Sequence, residues 1–204
     1  MNMSTPSFES RDPTAPGFWS ERFERGFMPW DRGGIPARFL QFVAEAGRSY
    51  VTLIPGCGTG YEVACLSEAG WDVTAIDFSG AAVEAAQKVL GPWAGRVVQA
   101  DFFDFVPPRQ VELIYERAFF CALPPRMRQA IADRWTALLP PGGLLAGFFY
   151  FDNTPKGPPF GIPPDELETL LTPCFERIVD EAVTDSLPVF AGKERWQVWR
   201  RRSP

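Results

Sequence analysis

Apolar residues along the chain follow two rhythms. Short aliphatic or β-branched runs at residues 50–55, 72–77, 96–101, 111–115 and 144–151 have strand length and end in turn residues. Segments 60–69, 80–90, 125–139 and 164–171 instead repeat their apolar residues every three or four positions, which predicts helices. Ser79 stands where a helix N-cap is wanted, and Gly91-Pro92 and Pro140-Pro-Gly-Gly143 stop two of the helices. Ahead of the first strand, Phe18, Trp19, Phe23 and Phe27 recur at helical spacing. Met28-Pro-Trp30-Asp31 interrupts them, and a second helical pattern runs from Ile35 to Ala46 with Phe39, Leu40 and Val43 turned inward. The tail predicts two further strands, 174–184 and 193–202, joined by a turn that carries a proline. There the alternation of Trp196 and Val198 against Gln197 and Trp199 suits an antiparallel edge. Residues 1–17, rich in Ser, Thr and Pro, read as a mobile arm, which leaves 18–204 as one domain.

Strands alternating with helices predict a mostly parallel sheet of seven strands with helices on both faces. Ligands of such sheets sit outside the carboxyl ends of the strands, where the strand order switches. The residues closing the predicted strands are Gly56 to Gly60, Asp77-Phe78, Asp101-Phe102-Phe103, Glu116-Arg117 and Tyr150 to Asn153. Three of these five sites pair a carboxylate with an aromatic ring or a cation, which packing alone does not require.

Gly56-Cys-Gly-Thr-Gly60 breaks the first apolar run and opens a helix, a turn that presents backbone N–H groups to a ligand. Asp77, at the end of the second run, is placed to hold the two hydroxyls of a ribose. A dinucleotide fingerprint wants a third glycine at position 61, where Tyr61 stands, so a single sulfonium nucleoside fits better than NAD. Asp101 can accept from an adenine amino group with Phe102 or Phe78 against the ring.

Charge and composition narrow the chemistry. A net charge of −5 and a pI near 4.9 argue against nucleic acid as a partner, and the short Arg200-Arg201-Arg202 run does not reverse that. No leader-like or membrane-length apolar run occurs, and Cys57, Cys65, Cys121 and Cys174 form no C-x-x-C pair. These features predict reduced thiols in a soluble cytoplasmic protein that holds no metal and acts on a small molecule as a monomer or weak homodimer. The chain contains no histidine. Ser-His-Asp and Cys-His catalysis are therefore excluded, and reactions whose nucleophile arrives already ionised gain weight.

Several ordered motifs then resemble one family. Phe18-Trp-Ser-Glu-Arg-Phe23 and Gly26-Phe-Met-Pro-Trp-Asp31, the glycine motif Ile54 to Tyr61, Leu113 to Arg128, Leu138 to Gly143 and Gly157-Pro-Pro-Phe160 are similar, in that order, to the class I S-adenosylmethionine-dependent methyltransferases of the thiopurine and thiol/halide group. The resemblance implies a three-layer Rossmann-like fold with an antiparallel C-terminal strand, an N-terminal helical lid and S-adenosyl-L-methionine as cofactor. It further implies that Trp19, Phe23 and Trp30 cover the cofactor, that Gly56, with Gly58 and Gly60, contacts its amino-acid part, and that Asp77 holds its ribose. Asp101 with Phe102 and Phe78 would meet the adenine, and Arg117 would stand where cofactor and acceptor meet. Arg117 is the candidate catalytic residue: its guanidinium never deprotonates, so it can orient an anionic nucleophile, and it can equally pair with Glu116 or with the cofactor carboxylate; a binding role is preferred over a catalytic one. Asp77 resembles the thiol/halide branch, whereas Gly157-Pro-Pro-Phe160 is shared with the thiopurine branch.

Methyl transfer from a sulfonium is an in-line displacement, so the protein supplies mainly alignment and exclusion of water. Thiols, halides, thiopurines and reduced selenium or tellurium species suit a protein without histidine. Two other readings rest on the same strand–turn–helix unit: a cofactor-binding regulatory module without turnover, and an NAD-dependent oxidoreductase.

Overall fold

The computed structural model describes residues 7–154 and 156–203. Two helices, α1 (Pro16–Glu24) and α2 (Ala37–Glu45), precede an alternating series: β1 (Val51–Pro55), α3 (Tyr61–Glu68), β2 (Asp72–Asp77), α4 (Gly80–Leu90), β3 (Val97–Gln99), β4 (Leu113–Arg117), α5 (Arg128–Leu138), β5 (Leu144–Tyr150), α6 (Pro164–Leu171), β6 (Phe175–Ala182) and β7 (Glu194–Arg201). They form one sheet in the order β3-β2-β1-β4-β5-β7-β6. The chain runs outward from β1 to β3 and then returns to β4 on the other side, so the strand order reverses between β1 and β4. Strands β1 to β5 pair in parallel, and β7 runs antiparallel to both β5 and β6.

Strand pleat divides the core in two. Leu53, Ile114, Leu145, Phe149 and Trp199 face α5 and α6, where Ile131, Trp135, Leu167 and Leu171 cover them. Ile54, Val73, Leu113, Tyr115, Phe148 and Trp196 face α2, α3 and α4, where Phe39, Val63, Leu66, Val83 and Ala86 close the other layer. Because neighbouring residues on one strand go to opposite layers, both faces of the central strands are buried, as a parallel sheet requires.

Local chemistry sets the ends of these elements. The Ser79 hydroxyl accepts from the Ala82 N–H at 3.2 Å and caps α4, and Gly91 ends that helix at a φ of 52°. Segment 125–139 divides: a 3-10 turn over Pro125–Met127 leads into α5 at Arg128.

Three expectations are corrected. The last strand is not an edge, because β7 lies between β5 and β6, and Trp196, Gln197, Val198 and Trp199 are all buried. Gln197 belongs inside because its side-chain oxygen accepts from the Trp199 indole N–H at 3.0 Å. The edge is β6, most of whose residues are exposed. On α2, Leu40 points outward at 46 % exposure, and Phe42 takes the inward place against Trp71 and Trp196. Finally, β4 continues two residues past Tyr115, so Glu116 and Arg117 lie on the strand itself.

Candidate active site

The carboxyl ends of β1, β2 and β4 open into a cavity of about 700 Å³, and residues from the N-terminal segment and the β6–β7 connection close over it. Every sequence-predicted site residue lines it: Trp19, Phe23, Trp30, Gly56, Gly58, Gly60, Asp77, Phe78, Asp101, Phe102 and Arg117.

On the floor, the glycine turn works as its spacing suggests. Gly56, Gly58 and Gly60 all take positive φ, at 57°, 54° and 68°, and Gly60 caps α3 in the left-handed region. A Cβ on Gly56 would lie 2.7 Å from Cδ2 of Phe119, so that ring already fills the space a side chain would need. Asp77 is buried beside the turn. Its Oδ2 accepts from the Gly58 N–H at 3.1 Å and its Oδ1 from the Ser79 N–H at 2.9 Å. Burial pushes its carboxyl up to about 6, and the N–H groups of Ser79 and Gly58 pull the other way. Each oxygen keeps acceptor capacity for a further donor, which is what a ribose diol would use. Asp101 is exposed and accepts from the Phe103 N–H at 2.8 Å, while Phe102 packs edge-on against both Phe103 and Phe119.

The cover is aromatic. Trp30 stands edge-on to Trp19 and Phe23, with centroids 5.4 and 6.3 Å away, and the Trp19 indole N–H donates to the Pro13 carbonyl at 2.8 Å. Side-chain hydrogen bonds attach this segment to the floor. The Thr59 hydroxyl of the glycine turn donates to Asp31 at 2.5 Å, and the Ser20 and Ser79 hydroxyls meet at 3.0 Å. Of residues 1–17, the first six lie outside the described residues, and α1 already begins at Pro16. Ser7, Phe8, Ser10, Arg11 and Thr14 line the cavity, with the Phe8 ring 5.2 Å from that of Phe27.

At the end of β4, Arg117 lines the cavity with its side chain only 14 % exposed. The next residue, Ala118, holds a φ of 57°, a conformation that costs an alanine about 1 kcal/mol. Glu116 supports this turn: its Oε1 accepts from the Phe119 and Phe120 N–H groups at 3.1 and 2.8 Å. Burial pushes Glu116 up to about 8, and its other oxygen has no partner among the described residues.

Sequence reading missed several lining residues. Val189 and Phe190 reach the cavity from a loop distant in sequence, and no local pattern marks them, while Cys121 and Pro158 lie inside the motifs Leu113 to Arg128 and Gly157-Pro-Pro-Phe160, which gave them no site role. Glu62 and Tyr115 also line it. For Glu62 a signal existed, a charge inside an otherwise apolar helix start.

The residues present fit S-adenosylmethionine: a glycine cradle, a buried carboxylate with unused acceptor capacity, and aromatic faces for a sulfonium. A sheet of this order, with such a cavity at its switch point, is the Rossmann-like architecture that S-adenosylmethionine-dependent methyltransferases share. Solved structures agree on the fold. A 1,6-didemethyltoxoflavin-N1-methyltransferase from Burkholderia thailandensis, with bound 1,6-didemethyltoxoflavin and S-adenosylhomocysteine, is 19 % identical over 97 % of this chain and 94 % of its own, with a TM-score of 0.73. A magnesium protoporphyrin IX methyltransferase from Synechocystis with bound S-adenosylmethionine gives a TM-score of 0.70 at 15 % identity, covering 96 % and all of the respective chains.

Residues 14–202 match the thiopurine S-methyltransferase family, and the chain belongs to it. A probable thiol methyltransferase 2 from Arabidopsis thaliana is 34 % identical over 92 % of this chain and 86 % of its own. A thiocyanate methyltransferase 1 from Brassica oleracea is 31 % identical over 91 % and 85 %, and a thiopurine S-methyltransferase from Vibrio cholerae is 31 % identical over 80 % and 84 %. The protein is an S-adenosylmethionine-dependent methyltransferase acting on small soft nucleophiles. That favours the enzyme reading over the regulatory module and the oxidoreductase. No helix among the described residues is long and apolar enough to cross a membrane.

Proposed function

We propose that the acceptor is an ionised soft nucleophile, a thiolate, halide or thiocyanate-type anion, and that Arg117 receives it. The observation that carries this reading is the placement of the guanidinium. It stands at the carboxyl end of β4 in a wall otherwise built largely of Trp30, Phe119, Cys121, Val189 and Phe190. Such a wall offers little to a neutral polar acceptor; of the cavity's arginines, Arg11, Arg22, Arg32 and Arg117, only Arg117 stands on a sheet strand, and a guanidinium suits large, weakly hydrated anions. The names of the thiol and thiocyanate methyltransferase relatives support the same class.

The remaining residues bind and align. Asp77 holds the ribose hydroxyls, the glycine turn lies under the amino-acid part, and Asp101 with Phe102 and Phe78 receives the adenine. Trp19, Phe23 and Trp30 exclude water and face the sulfonium, a cation–π contribution of roughly 0.5–2 kcal/mol. When bound, S-adenosylmethionine supplies the electrophilic methyl group. Arg117 and the aromatic wall orient the acceptor's lone pair for in-line attack, and no general base is needed when the acceptor arrives ionised. We read residues 18–204 as one methyltransferase domain and 1–17 as an arm. We further read the protein as monomeric or weakly dimeric and as cytoplasmic, the latter supported by four free cysteines.

The test is a methyl-transfer screen over hydrosulfide, iodide, thiocyanate, a thiopurine and selenite, repeated with Arg117→Ala. Turnover of ionised acceptors with KM raised about tenfold in the variant is expected. Turnover confined to a neutral acceptor, or an unchanged KM, contradicts the assignment.

A further inference from the structure

Behind Arg117 lies a polar group that the cofactor-binding motif does not explain. Glu62 sits in the first turn of α3, two residues past Gly60 of the glycine loop, while Tyr115 and Arg117 share one face of β4. The Tyr115 hydroxyl donates to Glu62 Oε1 at 3.3 Å, and Arg117 Nη1 approaches the same oxygen at 3.5 Å. Both charged side chains are close to buried, at 10 % exposure for Glu62 and 14 % for Arg117. The Phe148 ring lies 5.5 Å from the guanidinium carbon, and the buried Glu194 carboxylate at the start of β7 acts on the same cation.

A carboxylate at this place is costly. Burial raises the Glu62 carboxyl above its ordinary value, with Arg117 the main opposing influence. The flanking α3 residues Val63 and Leu66 are apolar and fully buried, so an apolar residue would serve packing equally well. What Glu62 adds is a fixed acceptor for a guanidinium whose other neighbours include the Tyr115 hydroxyl, the Phe148 ring and the Glu194 carboxylate. A guanidinium carries five N–H donors, and tying one down directs the rest.

We propose that Glu62 is a positioning residue for methyl transfer: with Tyr115 it holds the Arg117 guanidinium against the cavity wall, so that the remaining N–H groups meet the acceptor. This rests on Arg117 being the acceptor's cation.

A double-mutant cycle in the full chain tests it, with KM and kcat measured for iodide and hydrosulfide and S-adenosylhomocysteine affinity measured by calorimetry. Glu62→Ala should raise KM for both anions about tenfold. It should leave S-adenosylhomocysteine affinity within about twofold, and Glu62→Gln, which keeps the accepting oxygen, should recover part of the loss. In an Arg117→Ala background the Glu62 change should add nothing beyond about twofold. Equal losses in both backgrounds overturn the proposal, as does a fall in S-adenosylhomocysteine affinity that matches the kinetic loss and makes Glu62 a direct cofactor ligand. Should Glu62→Ala fail to fold, Tyr115→Phe carries the same cycle. Rotation of the Arg117 guanidinium, followed by ¹⁵N NMR of the side chain, separates this proposal from the acceptor assignment because it needs no turnover. Hindered rotation in the wild type that is freed in Glu62→Ala or Tyr115→Phe supports the positioning role, and rotation equally free in all three proteins overturns it.

Discussion

Asp77 on the floor of the cavity and Asp31 on its cover are both carboxylates that accept two hydrogen bonds, yet they are held differently. Asp77 is 7 % exposed, and both its partners are backbone N–H groups fixed by a strand end and a helix start. Asp31 is only partly buried, and its partners are the Gly33 N–H and the Thr59 hydroxyl, a rotor on the floor itself. The pattern extends to each region. The floor hangs on strand pairing between β1, β2 and β4, whereas the cover is joined by Ser20 to Ser79, by Arg32 to Asp185 at 3.1 Å and by Arg38 to Glu181 at 2.6 Å. Buried polar groups left without partners cost roughly 1–3 kcal/mol each, while exposed ion pairs contribute about 0–1 kcal/mol. A floor built to stay and a cover built to part suit an enzyme that must admit two substrates and release two products.

The sharpest way to break the floor is at Gly56. Gly56→Ala puts a Cβ in the left-handed region and into the Phe119 ring. A stability loss of about 2–4 kcal/mol, read as a lower melting temperature, and loss of measurable S-adenosylhomocysteine binding are expected. On the cover, Trp30→Ala should weaken S-adenosylhomocysteine by about tenfold in calorimetry while leaving the melting temperature within a few degrees, because Trp30 packs on Trp19 and Phe23 rather than on the main core. Hydrogen exchange should rank the regions directly, with amides of α1 opening at lower free energy than those of β1 and β2. The smallest effect belongs to the Arg32–Asp185 pair. Asp185→Ala should cost no more than about 0.5 kcal/mol and less at high salt, since Asp185 is 40 % exposed.

Glu116 sharpens the comparison through pH. A buried acid pushed up to about 8 ionises in the unfolded chain before it does in the folded one. Ionisation therefore erodes stability as pH rises from the ordinary Glu value near 4.5 toward 8, and the erosion is complete above 8. Glu116→Gln keeps an oxygen for the Phe119 and Phe120 N–H groups. It should remove this slope, so that the stabilities of the two proteins diverge in the variant's favour as pH rises from about 4.5 to about 8.

The floor was legible in the sequence and the cover only partly so, for a physical reason. The bounds of β2, α4 and α6 coincide with the sequence reading, because strand period, the Ser79 cap and the Gly91 stop are local signals. Asp77 and the three glycines belong to one strand–turn–helix unit and could be read together. The aromatic spacing from Phe18 to Trp30 marked the N-terminal half of the cover. Val189 and Phe190 could not be marked, since they reach the cavity only because β7 inserts between β5 and β6, and that pairing spans distant segments. The same insertion defeated the edge assignment of β7: Gln197 looked outward in pattern but is satisfied inside by Trp199. Glu116 and Arg117 fall beyond the apolar run that ends at Tyr115, and in the structure backbone N–H groups and Glu62 compensate their burial on the strand.

The most direct test is calorimetric titration of S-adenosylhomocysteine into the wild type and Asp77→Asn between pH 5 and 8, at a temperature where both are folded. Ionised Asp77 can serve Gly58, Ser79 and two ribose hydroxyls at once. Wild-type affinity should therefore hold above about 6, the value to which burial raises its carboxyl, and weaken by up to tenfold per pH unit below it. The Asn variant should bind at least tenfold more weakly at pH 8 and show no such slope. Equal affinity in the two proteins, or the same slope in both, would contradict a ribose site at Asp77 and with it the placement of the cofactor on the glycine turn.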